Sequence, residues 1–354
     1  MFIKRTGRFS RFLDRSAGVL FLAFLSIFLR KRKRPDNPES FCFIKTGGVG
    51  DMVLASAVIK QVRAKYPSAE MTVVCSKENS AMAELLTDCR VFVVSYRNPV
   101  QWLSLHRLKK VDILIDFGAW TRFDALISVS IPARFRLGFR TDGQHRHYCY
   151  DETVTHDRNR HELENYYALA GSYCAQTGAL PEYVCETDVR YKDTVIMHMY
   201  CAGARYMCRM WSFENWKKLA ILIKDRGFYL GFTASGAESV HLKAFLRSEG
   251  IDALIITDRS PGELASNFNS CRGIISVNCG ISHFAAACGA KVVELTGSVN
   301  PDRWGAIGNN VVHVIPPHVG KTLCYGYEKD ADEHSMDRVA PEEVFEIVKK
   351  VFPL

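Results

Sequence analysis

Along the body of the chain, apolar positions cluster in short runs separated by longer amphipathic segments. Phe41–Lys45 (FCFIK) reads as a brief apolar strand. The turn Gly47-Gly48-Val49-Gly50 follows, and from Asp51 to Tyr66 the apolar residues recur at helical spacing, giving a strand-loop-helix unit. The runs 71–76 (MTVVCS), 90–96 (RVFVVSY) and 112–118 (DILIDFG) predict further strands with helical segments between them, the alternation of a parallel sheet. A helix over 161–175 closes this set, and 177–188, with Gly178 and Pro181, reads as a connector.

The pattern then starts again. Strands are expected over 194–199, 228–233, 253–257 (ALIIT), 273–277 (GIISV) and 291–297 (KVVELTG), and helices over 214–224, 239–247 and 283–288. Two α/β domains result, an N-terminal one over 41–185 and a C-terminal one over 186–354, with 35–40 (PDNPES) as a linker from a separate tail, 1–34. Successive domains of this kind leave a cleft faced by the carboxyl ends of their strands, the usual place for a ligand.

Charge changes the picture at one end only. The chain of 354 residues has a formal net charge of +8, yet residues 1–34 alone carry ten bases against the single acid Asp14. The rest is nearly neutral, which removes the electrostatic reason to expect a nucleic acid. Within the tail, Ala17–Leu29 is apolar except for Ser26 and is followed by the five bases of 30–34. A spanning helix needs about 20 apolar residues, so the segment is too short to cross a bilayer, and bases follow it where a signal peptide would have small residues. It reads instead as a helix lying in a membrane interface, with the body on the cytoplasmic face of the inner membrane. The alternative is a helix packed on the protein's own surface or on a partner chain. The twelve cysteines are scattered without a C-x-x-C pair, which suits buried free thiols in a reducing compartment and neither a disulfide scaffold nor a metal site.

Three stretches carry candidate chemistry. In the first, Lys45, Gly47, Gly48 and Gly50 surround a turn whose glycines let backbone amides approach a ligand. It matches neither the dinucleotide nor the P-loop pattern. Asp51 stands at the helix start, where it can complement the helix dipole or accept a proton from a substrate hydroxyl; spacing leaves both open. In the second stretch, 276–305, a strand ends at Val277 and the chain turns through Asn278, Cys279 and Gly280 into a small-residue helix. Amides around Gly280–His283 form a start suited to a diphosphate. Thr296 and Gly297 close the next strand on the same edge, and His283 is either a satisfied helix residue or a ligand contact. Between these stretches, Arg209 precedes the helix of 213–224 and could neutralise a leaving phosphate, with Arg205 close enough to compete.

In this order the stretches resemble glycosyltransferase family 9, the lipopolysaccharide heptosyltransferases. KTGGVGDMVLASAV (45–58) is similar to the family's opening loop, VDILIDFGAWTRF (111–123) and RFRLGF (134–139) to its middle segments, and VNCGISHFAAACGAKVVELTGSVNPDRWG (277–305) to its donor-phosphate loop. HSMDRVAPEEVFEIV (334–348) looks like its closing helix. The resemblance implies a GT-B fold of two Rossmann-like domains, with Asp51 as the base that activates an acceptor hydroxyl. It also implies a nucleotide-sugar, ADP-heptose or a relative, on the C-terminal domain, a lipid-linked saccharide acceptor on the N-terminal one, and inversion at the anomeric carbon. No metal or cofactor is implied. Glu238 falls at the family's ribose-binding glutamate. Where the family has Asp-Thr-Gly this chain has Asn278-Cys279-Gly280, and Arg209 or Met210 replaces a lysine before Trp211. A relative that binds a nucleotide-sugar or glycolipid without turnover is the alternative reading, and a GT-B epimerase or another glycosyltransferase family is a third.

Overall fold

The computed structural model describes residues 18–352 apart from 21, 25–26, 28, 30, 96–97, 99–100, 102–103, 204 and 320–330. Of the expected tail helix over 17–29, residues 17, 21, 25–26 and 28 lie outside them. The described chain divides into two compact units that part between Ala179 and Leu180.

In the first unit, six strands run parallel in the order β3-β2-β1-β4-β5-β6: β1 Ser40–Lys45, β2 Glu70–Ser76, β3 Arg90–Val94, β4 Val111–Asp116, β5 Ala133–Arg140 and β6 Glu152–Thr155. The central strands β1 and β4 are buried almost end to end. That is why their sequences show unbroken apolar runs and no alternation: crossover helices cover both faces of a parallel sheet. Phe43 stacks on Phe117 with ring centroids 6.1 Å apart, and Phe41 meets the edge of Tyr173 at 5.7 Å. Each such ring, fully buried, contributes about 1.5–3 kcal/mol relative to exposure.

The second unit repeats the plan with order β12-β11-β10-β7-β8-β9: β7 Thr194–His198, β8 Tyr229–Thr233, β9 Leu254–Ile256, β10 Gly273–Val277, β11 Val292–Leu295 and β12 Val311–Val314. Trp211 and Trp216 meet edge to face at 5.1 Å in its core, beside Val344 of the closing helix Pro341–Val351 and Phe352 just after it. Counted within its own unit, each sheet has the order 3-2-1-4-5-6. The order therefore reverses between β1 and β4 in one unit and between β7 and β10 in the other. Ligands of doubly wound sheets sit outside the strand ends at such a switch point.

The expected strands recur with ends shifted by at most two residues, and the helix expected over 161–175 is Glu162–Ala170 followed by a short 3-10 turn. Three strands had no clear period-two or apolar signal. β5 (ARFRLGFR) contains the buried Arg136, whose guanidinium is satisfied by the carbonyls of Ser128 and Ile131 at 2.9 and 2.7 Å. β6 and β12 are four-residue edge strands. Among the described residues, no helix is long and apolar enough to cross a membrane.

Candidate active site

The first switch point is built from the ends of β1 and β4. The helix Val49–Lys65 begins directly after the glycine turn, and Asp51 lies in its first turn. Its Oδ2 accepts the Gly48 N–H at 3.0 Å, closing the helix start against an orphan amide. Oδ1 lies 3.1 Å from Lys45 Nζ and accepts the Tyr166 hydroxyl at 3.1 Å. Both roles left open by spacing are thus compatible: the acid caps the helix, and its side chain remains 27% exposed. A Cβ on Gly47 would sit 3.1 Å from both the Asp51 carboxylate and the Lys45 stem, so a side chain there would crowd the pair. Gly50 is buried in the first helical turn.

Lys45 is itself almost wholly buried, with its ammonium 5.4 Å from the centre of the Tyr166 ring. Burial acts to depress its pKa, but Asp51, Glu162 and Asp124 outweigh that and raise it above the ordinary lysine value. The ammonium therefore stays charged. Behind the turn, Thr46 Oγ1 donates to Asp124, tying the loop after β1 to the helix Arg122–Ser130 after β4. Asp116 at the end of β4 pairs with Arg146 at 2.7 Å, both fully buried, and Tyr150 donates to the same carboxylate. Tyr166 and this polar layer carried no sequence signal, since their partners lie from 30 to 115 positions away.

The second switch point collects the donor candidates. After β7 the chain passes Gly203 and a 3-10 turn ending at Arg209, whose Nη1 donates to the Asn278 carbonyl at 3.3 Å and Nη2 to that of Ala202 at 2.9 Å. Arg205 instead pairs with Glu333 at 2.7 Å, so Arg209 is the cation that touches the loop after β10. Gly297 has φ of +60°, and a Cβ there would lie 2.1 Å from the Cys208 carbonyl. Only glycine lets the loop after β11 close on the Arg209 turn.

Asn278 is buried and donates through Nδ2 to Glu294 Oε1 at 3.1 Å and to the Trp304 carbonyl at 3.0 Å. His283 Nε2 lies 3.2 Å from that same carbonyl, and Thr296 donates to Val314 O, so these two side chains have intramolecular partners. Glu238 closes a capping box, accepting the N–H and hydroxyl of Ser235 at 2.9 and 2.7 Å.

Cys279 is the residue before the helix Gly280–Ala287. Burial would raise its pKa, but the paired His198 imidazole, Ser276 and the Ser282 amide hold it below the ordinary thiol value. Burial instead drives Cys42 and Cys75 up to about 12.

Glu294 is the functional candidate that the sequence reading missed. It is fully buried on β11 and contacts Asn278, Ser282, the Ala306 amide at 3.0 Å and His313 at 2.9 Å. Burial favours the neutral acid, but His313, His283 and Ser282 prevail and hold its pKa below the usual glutamate value. The carboxylate missing at position 278 is therefore present on the adjacent strand, bonded to the asparagine that replaces it. A lone acid inside the apolar run KVVELTG was the available signal, because a buried charge needs partners. Among the described residues, no group of three or more His, Cys, Asp or Glu is arranged to hold a metal ion.

Two parallel Rossmann-like sheets in succession, each with the order 3-2-1-4-5-6, are the make-up of the GT-B class of fold. The profile of glycosyltransferase family 9 (heptosyltransferase) matches residues 105–334, and the chain belongs to that family. It is 23% identical over 314 residues to the lipopolysaccharide core heptosyltransferase OpsX of Haemophilus influenzae, covering 81% of this chain and 87% of that one. Lipopolysaccharide heptosyltransferase 1 of Pseudomonas aeruginosa is 24% identical over 149 residues, 41% of each chain. Among solved structures, the family 9 glycosyltransferase from Veillonella parvula superposes with a TM-score of 0.74 at 15% identity, covering 91% of this chain and 99% of the other. The E. coli ADP-heptose lps heptosyltransferase II gives 0.71 at 15% identity, over 89% and 98%.

Proposed function

We propose that this glycosyltransferase moves a heptose from ADP-heptose to a lipid-linked saccharide acceptor of lipopolysaccharide, inverting the anomeric centre without a metal ion. The acceptor binds the N-terminal domain, 41–185, and Asp51 removes the proton from its attacking hydroxyl. That oxygen bonds to the anomeric carbon as the bond to the diphosphate breaks. The departing ADP is held on the C-terminal domain, 186–354, by Arg209 and the amides that open the helix at Gly280, with Glu238 at the ribose. The body works in the cytoplasm, peripheral on the inner membrane through residues 1–34.

The observation that carries this reading is the Asp51 carboxylate, fixed by Lys45, Tyr166 and the Gly48 amide yet partly open at a sheet switch point. A carboxylate so oriented is equipped for proton removal. The test is incubation of purified protein with a panel of nucleotide-sugars and a lipopolysaccharide core acceptor. Stoichiometric ADP and elongated acceptor, with opposite anomeric configuration by NMR, are expected from ADP-heptose. Binding of ADP-heptose without product would favour the non-catalytic alternative, and retained configuration would overturn the role given to Asp51.

A further inference from the structure

The start of the chain has two sides with different partners. Residues 18–20 and 22–24 are helical, and the Ile27 N–H bonds to the Phe24 carbonyl at 3.3 Å. Leu22 is fully buried in a cluster with Ala125, Cys149 and Tyr150 of the N-terminal unit. Leu20, Phe24 and Ile27 are 75%, 56% and 76% exposed. Leu20 and Phe24, four apart, lie on one side of these helical residues, away from Leu22, and Ile27 is exposed in the turn beyond.

The bases that follow are sorted in the same way. Residues 31–35 belong to no helix, and partners alternate along them. Arg32 donates its backbone N–H to Asp151 at 2.8 Å and its guanidinium to the Ala133 carbonyl. Arg34 pairs with Glu152 at 2.7 Å and lies 5.1 Å over the Tyr173 ring. All four bases of 31–34 are exposed, and Lys31 and Lys33 stand on either side of Arg32. Lys31 also lines a cavity of about 290 Å³ with Arg32, Arg136, His147 and Tyr148. The one carboxylate in its wall, Asp151, already accepts the amides of Arg32 and Arg136. Burial and then the charges of Arg140, His145 and Lys31 hold His147 below its ordinary pKa, as expected where the local field is positive.

We propose that this face docks on an anionic phospholipid bilayer, with Leu20, Phe24 and Ile27 entering the acyl boundary, Lys31 and Lys33 meeting the headgroups, and the basic cavity taking one headgroup phosphate. Charge complementarity selects this occupant: an apolar stripe beside outward lysines and a positive cavity fits a negatively charged interface. The inference deepens the membrane part of the proposed function and is independent of the transfer chemistry. It replaces a loose tether with a segment fastened to the body, so the membrane would hold the N-terminal domain at a fixed orientation.

The test is co-sedimentation of the full chain with phosphatidylcholine vesicles, with and without phosphatidylglycerol. Wild type should pellet with the anionic vesicles alone. The triple variant Leu20→Ser/Phe24→Ser/Ile27→Ser should lose binding by about tenfold or more. Lys31→Glu/Lys33→Glu should abolish the preference for phosphatidylglycerol. Wild type left in the supernatant, or a triple variant that pellets unchanged, overturns the proposal; so does a wild-type dimer that the triple variant splits without any vesicle binding, which would make a second copy the occupant. Transfer to a soluble acceptor, measured on the same samples, should persist in both variants. If no sample transfers sugar while vesicle binding follows the expected pattern, the transfer reading fails and the docking surface stands.

Discussion

At the scale of single residues, charge and its partners decide the chemistry. Asp51→Ala removes the proposed proton acceptor while Glu162 and Asp124 still offset the buried Lys45. We therefore expect kcat to fall by about 100-fold or more. ADP affinity, measured by calorimetry, should be unchanged, because the proposed ADP site belongs to the other unit. Glu294 gives a prediction about acidity. Its folded pKa is held below 4.5, so the stability it contributes is complete above that pH and is lost as the pH falls through the lower folded value. Glu294→Gln discards this contribution at every pH. Urea midpoints of wild type and variant should differ at neutral pH and converge in acid, and a gap that does not narrow would mean that the carboxylate is not what stabilises this loop.

At the scale of elements, the pair Asn278 and Glu294 joins the end of β10 to β11, and its polarity is reversible in principle. In Asn278→Asp/Glu294→Gln the amide moves to the strand and the carboxylate to the turn, with the glutamine oxygen still able to accept the Ala306 N–H. The double variant should recover part of the stability and donor KM that Glu294→Gln loses, whereas two independent defects would add. Only part returns, because the new carboxylate turns an oxygen on the Trp304 carbonyl that the Asn278 amide now donates to. Gly297→Ala tests the neighbouring turn. A left-handed φ and a backbone carbonyl 2.1 Å from the new carbon should cost about 1–3 kcal/mol or more and weaken donor binding, read as a lower Tm and a higher KM.

These elements also show how far the sequence could be read. The glycine turn with Asp51 and the turn at Asn278–Gly280 were legible because glycines and an apolar-to-helical switch mark strand-helix junctions locally. β5 was hidden by Arg136, whose guanidinium is hydrogen-bonded by carbonyls from the preceding helix and turn. Tyr166 was illegible as a partner of Asp51, because only the closed sheet brings positions 115 residues apart together. Glu294 was visible as an oddity and uninterpretable until Asn278 stood beside it.

At the scale of the whole molecule, the two units have separate apolar cores, one around Ile44, Val74 and Leu114 and one around Trp216, Phe232 and Val293. A ligand confined to one of them should stabilise that one first. With ADP-heptose at 100 times its Kd, about 2.7 kcal/mol is added to the unit that binds it. Calorimetry should then show one of two thermal transitions moving up, and the same transition should move with ADP alone. Equal movement of both would mean that the units melt as one or that both hold the nucleotide.

The alternation of Arg32 and Arg34 with Lys31 and Lys33 makes the attachment of the first residues a matter of frame. One alanine inserted after Arg34 leaves charge and hydropathy almost untouched, yet it delivers Lys33 to the seat beside Asp151 and swings Arg32 and Arg34 outward. Lysine lacks the fork that reaches a carbonyl, and the place over Tyr173 goes to the alanine. Chymotrypsin should then cut within 18–29 far sooner than in wild type, and a second inserted alanine, which sets Arg34 beside Asp151 and leaves Glu152 and Tyr173 without an arginine, should restore part of the protection, as if the chain were counted off in twos.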